Sequence, residues 1–90
     1  MASATAVAAA AELIPANAKR QSIVIQNTGT VSVYFGDDDT VTSGNAVSVI
    51  AAGNLEEDNS GGRMWKGPYF GLTGQGTSSV VVYWERESNL

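Results

Sequence analysis

The chemistry open to this chain is narrowed first by two residue types that it lacks, since neither cysteine nor histidine occurs in its 90 residues. A serine or threonine nucleophile is ordinarily activated by a neighbouring base, most often histidine, and general acid–base catalysis leans on the same side chain. Only a serine–lysine pair or two carboxylates could act in its place, and no catalytic residue is expected. Disulfides and thiolate or imidazole zinc sites are excluded outright. No cofactor is expected.

Two acidic clusters stand out. Asp37-Asp38-Asp39 offers the oxygen ligands that hard cations take. It lacks the spacing and the distal glutamate of a calcium loop, and neighbours in a run cannot all converge on one ion. It reads as a solvated turn that ends a strand. Glu56-Glu57-Asp58 is a like-charge block of the kind that marks exposed surface, with docking onto a basic partner patch as the alternative. Gly71-Leu72-Thr73-Gly74-Gln75-Gly76 has the glycine density of a phosphate loop without its glycine order, and no helix follows it. It reads as a hairpin loop. The aromatic residues Trp65, Tyr69, Phe70, Tyr83 and Trp84 crowd into the last third of the chain. Phe70 and Trp84 are expected to fill the core, with the tyrosine hydroxyls at its rim. The alternatives are a protein interface and a sugar-binding platform.

Charge limits the partners. The formal net charge is −4, and the five basic residues, Lys19, Arg20, Arg63, Lys66 and Arg86, are scattered apart from one adjacent pair. Nucleic acid calls for a basic stripe, and an anionic membrane for a basic cluster; neither is present. No run approaches the roughly 18 apolar residues of a membrane helix. Met1 to Ala11 is alanine-rich and uncharged, without the basic start of a secretory leader, and is expected to remain in the mature protein.

The elements that must position these residues read as strands. Ile23 and Ile25 alternate with Ser22, Val24 and Gln26; after the turn Asn27-Thr28-Gly29-Thr30, Val31, Val33 and Phe35 alternate with Ser32 and Tyr34. A hairpin is the simplest way to join the two. Thr40 to Thr42 could form a short strand, Val47 and Val49 belong to another, and Leu55 to Asp58 suits an edge. Asn59-Ser60-Gly61-Gly62 is loop by composition. Val80 to Arg86 has the strongest strand composition, with Val80, Val82 and Trp84 on one face and Val81 and Tyr83 on the other. Apolar on both faces, it should lie centrally or have one face covered by a partner. The spacing predicts an all-β fold, a small antiparallel β-sandwich or jelly-roll-like barrel of six to eight short strands. The domain should span residues 15–90, with residues 1–14 as an extended alanine-rich N-terminal arm. A chain of this length buries only about 60–65% of its unfolded surface, so oligomerisation is the expected supplement to a thin core.

One stretch carries a resemblance. Leu13-Ile14-Pro15-Ala16-Asn17-Ala18-Lys19-Arg20-Gln21-Ser22-Ile23-Val24-Ile25-Gln26-Asn27, with Val33-Tyr34-Phe35-Gly36 and later Ala52-Gly53-Asn54-Leu55, resembles small β-sandwich virion accessory proteins of tailed bacteriophages, of the capsid decoration or cement type. The order of features runs over residues 3 to 86, and the sharp part over 13 to 36. The resemblance implies no catalytic residue. It implies that Arg20 and Asn27 brace the loops at either end of the first clear strand. It also implies a virion-surface protein that binds across neighbouring major capsid subunits, as a homo-oligomer with a trimer favoured. The candidate partner contacts are Ala4, Thr5, Ala6, Val7, Leu13, Ile14, Lys19 and Arg20, with Trp65 and Tyr69. The alternatives are a neck, tail or fibre accessory of the same virion and a carbohydrate- or receptor-binding module using Trp65 and Tyr69.

Overall fold

Alternating apolar residues need an apolar surface to face, and two sheets supply it to each other. The computed structural model describes residues 2–58 and 64–87. Its strands are β1 (Ala2–Ala6), β2 (Ala11–Ile14), β3 (Arg20–Asn27), β4 (Val33–Gly36), β5 (Val47–Val49), β6 (Asn54–Asp58), β7 (Tyr69–Leu72) and β8 (Ser79–Glu87). One sheet has the order β1-β8-β3-β6 and the other β2-β7-β4-β5, with every pairing antiparallel. The first half of the chain thus ladders onto the second, β1 on β8, β2 on β7, β3 on β6 and β4 on β5. The ladder is then folded over so that β3 also meets β8 and β4 meets β7. This is the connectivity of an eight-stranded jelly roll, and the all-β sandwich expected from the strand spacing is what the chain forms.

Between the sheets lie Ile23, Ile25 and Val81 from the first, against Ile14, Val33, Phe35, Val49 and Tyr69 from the second, with Met64 from the loop before β7. Phe35 and Tyr69 meet edge to face, with ring centres 6.5 Å apart. Burying one such side chain contributes about 1.5–3 kcal/mol, the same order as the backbone entropy lost per ordered residue. With so few core residues, each one matters.

Several sequence expectations are corrected. The N-terminal residues are extended in β1 and β2 with a bend between them, but they do not stand apart from the domain: β1 forms an edge of the first sheet and β2 an edge of the second. Alanine is a weak strand former, but the backbone of β1 ladders along β8, and Ala6 is fully buried. The β3–β4 pair is no hairpin, because residues 28–32 cross from one sheet to the other. Thr40 to Thr42 is not a strand; Val41 is buried in a loop instead, close over Gly36. The core aromatic residues are Phe35 and Tyr69, whereas Phe70 is half-buried and Trp84 faces out. The alternation along β8 was right and its direction was not: Val81 points inward, while Val80 and Trp84 are on the outer face. β8 is central, between β1 and β3. Asn59 to Gly62, like Met1 and Arg63, lies outside the described residues.

At the end of β4 the aspartates form the turn expected of them. Asp38 Oδ1 accepts bonds from the Thr40 amide (2.9 Å) and hydroxyl (2.5 Å), and these bonds hold its pKa below the usual carboxylate value.

Candidate docking surface

The two polar ends of β3 show which side chains the fold withholds from partners. Strict alternation would set Arg20 opposite in direction to Ile23 and Ile25. A bulge against β8, with the register shifting between Arg20 and Ser22, turns it inward, and its side chain is fully buried. Bulges re-aim side chains in this way. The guanidinium then spends its donors internally: Nε on Glu85 Oε2 at 2.5 Å, Nη1 on the carbonyls of Trp65 and Gly67, and Nη2 on that of Pro15, each at 2.9 Å. Its carbon lies 5.1 Å from the Tyr69 ring centre, and Lys66 Nζ donates to the Arg20 carbonyl. Two loops and β8 are thereby tied to one cation.

Asn27 closes the other end in the same manner. Its Nδ2 donates to the Val31 and Val49 carbonyls at 2.8 and 2.9 Å, while Oδ1 accepts from the Gly29 amide and Ser79 Oγ at 3.0 and 2.7 Å. The crossover between sheets is pinned by these bonds. Gly29 has no freedom to carry a side chain, since an added Cβ would lie 1.8 Å from Ser79 Oγ. Asn27→Asp keeps the shape but turns two donors into a charged acceptor facing two carbonyls. We expect a loss of about 3 kcal/mol at neutral pH, because an unsatisfied buried group costs about 1–3 kcal/mol and a charge more. Acid should return part of it, since the protonated carboxyl regains one donor. Urea midpoints at two pH values check both.

Tyr69 carries a second titration signal. Its hydroxyl donates to Glu57 Oε1 at 2.6 Å, and its pKa is raised above the ordinary tyrosine value by burial first and by the Glu57 carboxylate second. A folded pKa above the unfolded one gives stability that is full below the unfolded value and is lost as pH rises past it. Urea midpoints should therefore fall above about pH 10, and Tyr69→Phe should flatten the fall. An unchanged slope in that variant would remove Tyr69 as the cause.

The candidate contact residues divide accordingly. Ala6, Leu13, Ile14, Arg20 and Tyr69 are buried in the fold and are corrected as surface contacts. A bulge between Glu12 and Ile14 accounts for Leu13 and Ile14 both facing in. Ala4 is partly buried against the core. Thr5, Val7, Lys19 and Trp65 remain exposed. Trp65 and Tyr69 do not form a shared sugar platform, since Tyr69 is buried while Trp65 is exposed.

None of the ten candidate contact residues lies at the middle of the outer face of the first sheet, along β8, although the two-sided apolar pattern of that strand allowed for a partner there. Cross-strand partners share a face, and the register sets Trp84 beside Val24, Val82 beside Gln26 and Ser3, and Val80 beside Thr5. Val80 and Trp84 are 41% and 42% exposed, with Val24 and Val82 half-buried between them. An apolar stripe therefore runs along β8 with Val24 of β3 beside it, between uncharged Ser3 and Thr5 of β1 on one side and Glu56 and Asp58 of β6 on the other. The signal was present in the two-sided apolar character of Val80 to Trp84. Among the described residues no three potential metal ligands cluster, and no helix is long and apolar enough to cross a membrane. Comparison with protein-family models, with curated proteins and with solved structures finds no match.

Proposed function

We propose that this chain is a structural docking protein: a capsid cement or decoration protein of a tailed-phage virion, acting as a homo-oligomer with a trimer favoured. The observation that carries the docking reading is the apolar stripe of Val24, Val80, Val82 and Trp84 on the outer sheet face. Outward positions of a sheet that faces only water are ordinarily polar. The assignment to a virion comes from the resemblance around residues 13–36. The buried polar side chains support a rigid docking body, since none among the described residues lacks a hydrogen-bond partner.

The physics of such a role is mass action. A domain that binds the assembled lattice but not free subunits shifts the equilibrium toward assembly by RT ln(1 + [L]/Kd). Contacts to two neighbours at once add avidity without new chemistry.

The test is to count copies of the chain per purified particle, for the natural sequence and for Val80→Asp and Trp84→Lys. Both substitutions lie on the outer face and should leave the thermal midpoint nearly unchanged. We expect copy numbers that match the head lattice and a loss of occupancy and of particle heat resistance in both variants. A small copy number would assign the chain to a neck, tail or fibre. Full occupancy in both variants would overturn the docking face.

A further inference from the structure

Where β4, β5 and β6 approach the loop before β7, the structure leaves a cleft of about 290 Å³. Its walls include Phe35, Val47, Leu55, Trp65 and Tyr69, and its charged lining residues are Asp37 and Glu57. Among the described residues, no lysine or arginine lines it. Pockets for drug-sized ligands begin at about 300 Å³ and run to about 1,000 Å³, so this one suits a single side chain better than an oligosaccharide.

Its two recognition elements are held in place before any ligand arrives. The Trp65 indole is fixed at its nitrogen by the Pro68 carbonyl and lies against Gly67, where an added Cβ would come within 2.4 Å of the ring. Even so, 42% of Trp65 remains exposed. The Glu57 carboxylate is anchored by the Tyr69 hydroxyl at 2.6 Å, and the Tyr69 ring is itself held by Phe35 and Arg20. Ordering these groups therefore costs little at the moment of binding.

From this geometry we infer that the cleft receives an arginine side chain presented by a partner polypeptide. The guanidinium is the cation that suits both elements, since its plane stacks on an indole and its fork pairs with a carboxylate. Leu55 and Val47 receive the aliphatic stem. Charge complementarity favours a partner as the source: the lining is acidic, and the chain as a whole carries −4. The four described basic residues are engaged or placed elsewhere, with Arg20 buried, Lys66 on the Arg20 carbonyl, Arg86 in register with Ser22 on the outer face and Lys19 exposed in the loop before β3, outside the cleft lining. This deepens the docking reading by naming what the partner surface presents. The cleft chemistry itself does not depend on that surface being a capsid.

The probe is the peptide acetyl-Gly-Arg-Gly-amide, added to the full chain carrying Trp84→Phe so that Trp65 is the one indole observed by NMR. The expected result is a saturable shift of the Trp65 indole proton with a dissociation constant near 1 mM, the strength of a contact worth about 4 kcal/mol. The citrulline peptide, isosteric but neutral, should give at least a tenfold weaker response. Glu57→Gln keeps an acceptor for Tyr69 and should weaken arginine binding at least fivefold. If that variant is unfolded by its thermal midpoint, Asp37→Asn takes its place with the same expectation. Equal shifts with citrulline, equal binding by a lysine peptide, or undiminished affinity in a folded carboxamide variant would each overturn the assignment. No particle enters this experiment, so its failure leaves the outer-face test standing, and the reverse holds as well.

Discussion

Replacing Arg20 with methionine is expected to lower folding stability by about 3–5 kcal/mol, the cost of breaking a buried ion pair from one side. Methionine matches the stem and packs well, so the loss isolates the head group. Without it, Glu85 loses its charge partner, and the carbonyls of Pro15, Trp65 and Gly67 lose the donors that draw two loops together. Tyr69 loses the cation above its ring. Domains of this size have about 5–15 kcal/mol in total, so the variant should be partly unfolded well below the normal transition. Arg20→Lys retains the charge but not the fork, and should recover less than half of the loss. Urea unfolding followed by far-ultraviolet circular dichroism measures both. A change under about 1 kcal/mol in Arg20→Met would show that the network contributes specificity rather than stability.

The second large effect concerns the N-terminal residues. Deleting residues 1–12 should abolish cooperative folding. The deletion takes away all of β1, whose five residues pair with β8 from Ser79 to Tyr83, and the two residues that pair β2 with Phe70 and Gly71. It exposes one flank of β8 and opens the core at Ala6 and Val81. Each sheet then has a new, unprotected edge, a known route to aggregation. Gel filtration and amide dispersion in a proton–nitrogen spectrum would reveal the outcome. A folded, monomeric product would mean that β1 is dispensable to the domain and that residues 2–12 are a separable arm after all.

The contrast between these two regions shows what a sequence can carry. The strands β3, β4 and β8 were legible because a large apolar residue recurs at every second position, and the all-β class followed from their spacing. β1 was legible only as an extended segment: Ala-Ser-Ala-Thr-Ala has no large residue to declare a face, and its partner β8 is separated from it by most of the chain. The direction of Arg20 could not be read from alternation at all, because a bulge reverses it. Its role as a brace came from a resemblance and not from periodicity. Trp84 was misplaced for a related reason. A strand apolar on both sides does not announce which side is inward, and the answer lies in the sheet order. The cleft was illegible because Asp37, Glu57 and Trp65 are brought together only by the stacking of the two sheets, which sets β4 and β5 of one against β6 of the other.

The ladder in which β1 pairs with β8 and β2 with β7 also dictates when this molecule can take shape. β8, the last of the described strands to be synthesised, sits between β1 and β3. Until it emerges, those two strands have no common neighbour, and half of the interior stays open to water. Folding must therefore wait for β8 to be made and proceed through ring closures of long span, which are slow. During that interval the nascent strands are exposed to one another across neighbouring chains on a polysome, where self-association is seeded.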